Sequence, residues 1–325
     1  MGASAGIDFG TSLIKLAARG AAAGARADAL HLRLFPAHAV GEALACAAAL
    51  APQRLGLTGG GAAAAAAQLA AQPGAVRAAQ FPEFDAWAAG AQALLARSGL
   101  RPARPYLLAS VGTGTSALLV GQGAVRRLGG TALGGGTLTG LGALLLGNRG
   151  FAEIAELAQR GDRSSVDLYI SDIYPQFPPG YTAANFGRAA RTASATRTIS
   201  AESGTASSAA SAAARNAPAP KSDASGNAAA AKSAAATPHP SPADIAHALV
   251  ALVGENVSLI CSALAAAHPE VRQLVFGGAT LRHNPAMRTI ITQITQARGL
   301  EALLLEDGEF TGALGALVLA ETATD

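Results

Sequence analysis

Two short runs of small residues hold the densest cluster of potential ligand-binding groups in this chain. Gly112-Thr113-Gly114-Thr115-Ser116 follows the apolar run Leu107–Ser110, and Gly134-Gly135-Gly136-Thr137 stands where a helical pattern begins. Glycines in such loops let backbone amides approach a ligand closely, and the hydroxyls add donors, which is how a loop holds phosphate. A helix starting at the second loop adds its dipole and free amides to the same anion. Arg126 and Arg127 lie between the loops and suit a charged substrate. Two phosphate-type loops with an arginine between them suggest a nucleotide site.

Two acidic residues elsewhere belong in the same argument. Asp8 precedes the turn Gly10-Thr11-Ser12, and Lys15 follows in the next apolar stretch. A carboxylate there can hold a metal through water while the turn takes phosphate, although a plain β-hairpin has the same pattern. Glu83, in Gln80-Phe81-Pro82-Glu83-Phe84-Asp85, falls at the start of a helical pattern because Pro82 keeps Phe81 extended. By spacing alone Glu83 and Asp85 read as helix caps, with a general base as the alternative for Glu83.

The elements that must position these residues follow a repeated design. Residues 4–19 read as strand, turn and strand; 41–52 as a helix; 55–60 as a strand ending in glycines; and Ala62–Ala67 as the next helix. After the central loops, Phe151–Ala158 and Val166–Tyr174 read as helices, with Asp162, Asp167 and Asp172 as caps and a solvated face. Pro242-Ala243-Asp244 starts a long helix, 274–280 is a strand ending in a glycine turn, Asn284-Pro285 opens a helix, and 303–305 is a strand before a C-terminal helix. Strand, glycine turn and helix recurring through both halves predict two α/β domains facing a nucleotide cleft. Within the second half, Ser200 to Ser241 contains no Val, Ile, Leu, Met, Cys or aromatic residue, so 192–241 reads as a disordered surface insertion, with His239 solvated.

Composition excludes several classes. A net charge of +3 with 14% charged residues and no basic cluster interleaved with aromatics argues against nucleic acid. Asp8 and Lys15 inside the first apolar segment are wrong for a signal peptide, and no charge-free apolar run of membrane-spanning length is present. Cys46 and Cys261 lack metal-site spacing and fit a reducing compartment. The expectation is a cytoplasmic protein with no membrane partner.

With these motifs in place, the chain resembles the type II pantothenate kinases. VGTGTS and RRLGGTALGGGT, then FAEIAELAQRGDRSSVDLYISDIY, carry the likeness, and GIDFGTSLIK, FPEFDA, TAANFG, VFGGATLRHN and FTGALGAL agree in the family's order. The resemblance implies the acetate/sugar kinase, Hsp70 and actin superfamily: two ribonuclease-H-like α/β domains, here 1–103 and 104–325, the second interrupted by 192–241. It implies transfer of the ATP γ-phosphoryl to pantothenate and a homodimer. By the same likeness the run Asp8-Phe9-Gly10-Thr11-Ser12-Leu13-Ile14-Lys15 would hold ATP and, through Asp8, Mg²⁺. Thr115, Gly135, Gly136, Thr137, Leu138, Thr139, Phe151 and Ala279 would continue the nucleotide site. Glu83 would be the general base, and Thr113, Ser116 and Arg127 would bind pantothenate, Arg127 at its carboxylate. Thr11 stands where the family usually has glycine, and Ala279 where relatives often carry Ser or Asn. A sugar kinase of the same superfamily and a nucleotide-binding pseudokinase are the competing readings.

Overall fold

The computed structural model describes residues 3–20, 29–71, 76–121, 123–147, 149–189 and 239–323. Of the segment 192–241, only 239–241 belongs to them, so the reading of its remainder as an insertion lies outside the described residues.

The first half builds a sheet from β1 (Ser4–Phe9), β2 (Leu13–Arg19), β3 (Leu30–Pro36), β4 (Arg54–Thr58) and β5 (Ala78–Gln80), in the order β3-β2-β1-β4-β5. Strands β1, β2 and β3 are antiparallel neighbours, whereas β1, β4 and β5 run parallel. The second sheet repeats this plan. It contains β6 (Tyr106–Val111), β7 (Thr115–Val120), β8 (Val125–Thr131), β11 (Gln273–Gly277) and β12 (Glu301–Leu304), in the order β12-β11-β6-β7-β8. Here β6, β7 and β8 form the antiparallel part, and β6, β11 and β12 the parallel part. The predicted repetition of α/β units is therefore a repetition of one sheet topology.

Helices fill the space around and between the sheets. Helices α1 (Val40–Ala49) and α2 (Ala62–Ala70) cover the outer face of the first sheet, meeting Ala5, Ile7, Phe9, Ile14 and Leu16. Helix α3 (Glu83–Arg97) and the C-terminal helix α8 (Thr311–Thr322) form the middle layer, where Trp87, Leu94, Leu314 and Leu317 pack with Tyr106, Leu108 and Val275 of the second sheet. The outer face of that sheet carries α4 (Gly135–Leu146), α5 (Phe151–Ala158), α6 (Pro242–Ala266) and α7 (Pro285–Ala297). Strand β6 shows how one strand serves two cores: Leu107, Ala109 and Val111 face the outer layer, and Tyr106 and Leu108 the middle one.

Helix α8 lies against β1, β2 and β4 of the first sheet and against α3, although its sequence follows the second sheet. Glycine makes this possible. A Cβ on Gly315 would lie 1.6 Å from the Ala86 carbonyl oxygen of α3, and one on Gly90 would lie 1.8 Å from that of Thr311. The two helices meet backbone to backbone.

The segment before α6 departs from its predicted form. Val166–Tyr174 is not a helix: Leu168–Tyr169 (β9) pairs with Thr182–Ala184 (β10), and residues 170–172 form a single 3₁₀ turn. A buried ionic network overrides the local pattern. Arg163 pairs with Asp167 at 3.2 Å and with Glu255 of α6 at 2.6 Å, while Asp167 accepts from the Phe186 amide at 2.8 Å. Thr182 and Asn185 donate to the Glu255 carboxylate. Asp162 does cap, accepting from the Ser164 amide, and Asp172 accepts from the Tyr169 amide and pairs with Arg188. Asp167, read as part of a solvated face, is fully buried. The TAANFG motif thus fastens this segment to the middle of α6. By length and composition α6 could cross a membrane, but 67% of its most apolar window is buried and Glu255 sits inside it, the pattern of a core helix.

The α3–α8 contact yields a stability test. Gly315→Ala is expected to lower the free energy of unfolding by about 3 kcal/mol, because backbone on both sides blocks relaxation. Urea denaturation measures it, and a loss below about 1 kcal/mol would show that the contact is looser than described.

Candidate active site

Between the two sheets opens a cleft with a cavity of about 680 Å³, bordered by Asp8, Lys15, Glu83, Thr113 and Arg127 among others. That size suits a ligand of nucleotide dimensions.

The β1–β2 hairpin sets one wall. Its register puts Asp8 directly across from Lys15, so residues seven apart in sequence become cross-strand neighbours, with Lys15 Nζ 3.2 Å from Asp8 Oδ2. The segment is thus a β-hairpin, and its turn residues Gly10, Thr11 and Ser12 border the cavity. Alternation along β1 turns Asp8 to the same side as Gly6, toward α8, where a Cβ on Gly312 would stand 2.7 Å from Asp8 Oδ2. The first turn of α8 thus abuts the carboxylate with the positive end of its dipole. Burial pushes the Asp8 carboxyl up from its ordinary range, and the Lys15 charge and hydrogen bond oppose that rise. Oδ1 takes no hydrogen bond among the described residues. The same alternation sends Phe9 and Ile14 into the core under α1 and α2, away from the cleft. Their expected place in the nucleotide site is corrected accordingly.

Glu83 is the first residue of α3 and faces the cavity. Strand β4 fixes it there: the Phe81 amide donates to the Leu57 carbonyl at 2.9 Å, and Thr58 Oγ1 donates to the Phe81 carbonyl at 3.1 Å. Neither Glu83 nor Asp85 caps the helix, since Pro82 at the N-cap is met by no side-chain bond. The cap reading of both residues is therefore corrected. Partial burial raises the Glu83 carboxyl, the Asp8 charge raises it further, and Lys15 opposes.

The central loops form the opposite wall. Gly112–Gly114 joins β6 to β7, and the α4 amides of Gly135 and Gly136 donate to the carbonyls of Gly112 and Thr113 at 2.8 and 2.9 Å. Those amides, expected to be free for an anion, instead tie the two loops together. Hydroxyls do similar work. Thr115 donates to the Leu133 carbonyl, Thr137 to that of Ala132, and Thr139 to that of Gly135. Thr137 and the buried Leu138 do not border the cavity, which removes them from the expected set; Thr139, Gly135, Gly136, Phe151 and Ala279 do border it. Thr113 reaches across the mouth, its hydroxyl 3.0 Å from that of Thr11 and 2.8 Å from that of Ser12. Thr11, a departure from the resembled pattern, bridges the two walls.

A bulge selects between the adjacent arginines. Ala117 pairs with Gly129 but Leu118 with Arg127, so Leu128 is the extra residue on β8. The parity change turns Arg127 into the cleft, where its Nη2 lies 3.2 Å from a Cβ built on Gly130.

Several cavity residues escaped the sequence reading: Gly60, Trp87, Ser110 and Thr131. Trp87 was accessible, since it stands four residues after Glu83 and shares its helical face. Thr280, next to Ala279 in the turn that the family likeness sets near the nucleotide, also borders the cavity, and its hydroxyl donates to the Gly112 carbonyl at 2.8 Å.

Comparison places this architecture. The (R)-2-hydroxyglutaryl-CoA dehydratase component A of Acidaminococcus fermentans superposes with a TM-score of 0.55 at 17% identity, covering 98% of each chain. A ROK family glucokinase from Streptomyces griseus, solved with glucose and AMPPNP, gives 0.51 at 12% identity over 99% of this chain and 100% of that one. The twin sheets and the cleft between them define a protein of the actin-like ATPase fold. The chain belongs to the Fumble family, whose sequence model matches residues 99–319. The type II pantothenate kinase of Staphylococcus haemolyticus is 30% identical over 243 residues, 74% of each chain. That of Oceanobacillus iheyensis is 28% identical over 318 residues, 96% of this chain and 98% of the relative.

The charges around Glu83 make its titration a test of the geometry. Its midpoint should lie above the ordinary 4.5, fall in Asp8→Asn as the neighbouring negative charge is lost, and rise in Lys15→Met. Carboxyl ¹³C NMR reads all three, and a midpoint indifferent to both substitutions would separate Glu83 from the Asp8–Lys15 pair.

Proposed function

We propose that the protein is a pantothenate kinase, transferring the γ-phosphoryl of ATP to the terminal hydroxyl of pantothenate, the opening step of coenzyme A synthesis. The observation that carries the proposal is that Glu83 and Arg127 border one cavity with the Asp8–Lys15 pair. Membership of the Fumble family supports the same reading.

In this reading the Glu83 carboxylate accepts the proton of the pantothenate hydroxyl. The hydroxyl oxygen bonds to the γ-phosphorus as the bond to the ADP oxygen breaks, and ADP leaves. Its raised pKa makes the Glu83 carboxylate a stronger base than a free one. Arg127 pairs with the pantothenate carboxylate through two parallel N–H donors, and Thr113 and Ser116 orient the acceptor. Lys15, with the Gly10-Thr11-Ser12 turn, meets the phosphates. Thr115, Gly135, Gly136, Thr139, Phe151 and Ala279 border the nucleotide.

The donor set also fits Mg²⁺. Asp8 is a buried, hard oxygen ligand with one oxygen lacking a hydrogen bond among the described residues. Bound there, Mg²⁺ would neutralise charge developing on the phosphates. The reading includes lobes of residues 1–103 and 104–325, the last helix packing back on the first, in a cytoplasmic homodimer. Supporting the dimer, Ile173, Tyr174, Phe177 and Tyr181 stand about half exposed on one segment.

Kinetics test the assignment. Glu83→Gln should lower kcat by about 10²-fold or more with ATP affinity retained. Arg127→Ala should raise the KM for pantothenate by about tenfold or more while leaving that for ATP near its original value. Near-normal turnover in the first variant would remove Glu83 as the base, and a substrate panel favouring N-acetylhexosamines would replace pantothenate as the acceptor. For the assembly, Phe177→Glu should shift a dimer toward monomer in light scattering. A wild-type monomer would end that part of the reading.

A further inference from the structure

A second cavity, of about 500 Å³ and sharing no lining residue with the cleft, lies along the connection that leads from α3 to β6. One side is apolar, formed by Leu100, Val318 and the alanine face of α3; Gln92, Arg101, Arg104 and Tyr106 border the rest. Three features are unusual together. Tyr106 is wholly buried, yet its hydroxyl has no hydrogen-bond partner, an arrangement that costs about 1–3 kcal/mol when nothing satisfies it. Arg101 and Arg104 form no ion pair with any carboxylate among the described residues. Leu100 leaves 40% of its surface exposed beside them.

Burial pushes the Tyr106 phenol up to about 12, and the Arg104 charge acts against that rise, which puts the guanidinium within electrostatic reach of the phenol. At neutral pH the phenol is therefore a hydrogen-bond donor. A buried donor, two guanidinium groups without carboxylate partners and an apolar wall complement one kind of molecule: an apolar chain ending in an anion that accepts hydrogen bonds. An inorganic anion would leave the apolar wall uncovered, and a neutral lipid would leave the guanidinium groups unmatched.

We propose that this cavity is a binding site for a small amphipathic carboxylate, its chain against Leu100 and Val318 and its head among Arg101, Arg104 and the Tyr106 hydroxyl. An occupant would touch α3, whose first residue is Glu83, and β6, which runs directly into the Thr113 loop. It would brace the joint between the two walls of the cleft. Neither ATP nor pantothenate enters the argument, so the site stands or falls independently of the kinase reading.

Octanoate is the probe, titrated calorimetrically into the full-length protein, with octan-1-ol and inorganic phosphate as the chain-only and charge-only controls. Saturable binding at one site per chain is expected, with each control at least about tenfold weaker. Arg104→Gln, at an exposed position, should weaken octanoate about tenfold, and Tyr106→Phe should weaken it about threefold while keeping the ring that the core needs. Circular dichroism melting shows whether each variant is folded, and Arg101→Gln serves as the second charge variant should one of them not be. Absence of saturable binding up to about 10 mM would overturn the proposal. Equal affinity for octan-1-ol, or octanoate binding unchanged in both Arg104→Gln and Tyr106→Phe, would overturn it as well.

Discussion

The close contact of α3 with α8 is the constraint on which the rest of the structure depends. Gly90 and Gly315 let two helices touch through their backbones, while Gly6 and Gly56 let α8 settle against β1 and β4. Two sheets of identical topology then share one middle layer, and both load-carrying faces of that layer are helical. A Cβ at any of these positions would overlap the facing backbone, so the packed elements would have to shift. Since the cleft is the open end of the same layer, its width follows from this packing, and so does the reach of Glu83 toward the opposite loops.

The cleft itself divides its labour between side chains that face a ligand and side chains that hold loops. Asp8, Lys15, Glu83 and Arg127 open into the cavity, whereas most threonine hydroxyls and the first α4 amides are spent on joining one loop to another. That division gives a rigid wall opposite a hairpin whose charges are already paired. Preorganised groups of this kind favour the reacting arrangement over the free ligands, because little reorganisation remains to be done during the reaction. Asp8 shows the electrostatic side: the α8 dipole and Lys15 stabilise a carboxylate that burial disfavours.

Local pattern revealed much of this. The hairpin, the glycine-ended strands and the helix starts at Glu83, Pro242 and Pro285 were legible because turn and cap chemistry is encoded in adjacent residues. So was the gathering of Asp8, Lys15, Glu83, Thr113 and Arg127 at one cavity, although for Glu83, whose spacing alone argued for a cap, and for Arg127 over Arg126 that rested on family likeness. What stayed hidden depends on partners distant in sequence. The segment 166–174 reads as helical until the buried Arg163–Asp167–Glu255 network draws it into a ribbon. Phe9, Ile14 and Leu138 fell on the wrong side because a contiguous motif was read as a contiguous surface, against the alternation of a strand and the rotation of a helix. Likewise the β8 bulge, which decides for Arg127 over Arg126, leaves no mark in composition.

The position of α8 also orders events in time. The first sheet is translated early, but the helix that covers its inner face is encoded beyond the entire second sheet. As the chain leaves the ribosome, β1 and β4 present uncovered glycine-lined backbone until residues 311–322 arrive to close it. The sheet made first is therefore covered last.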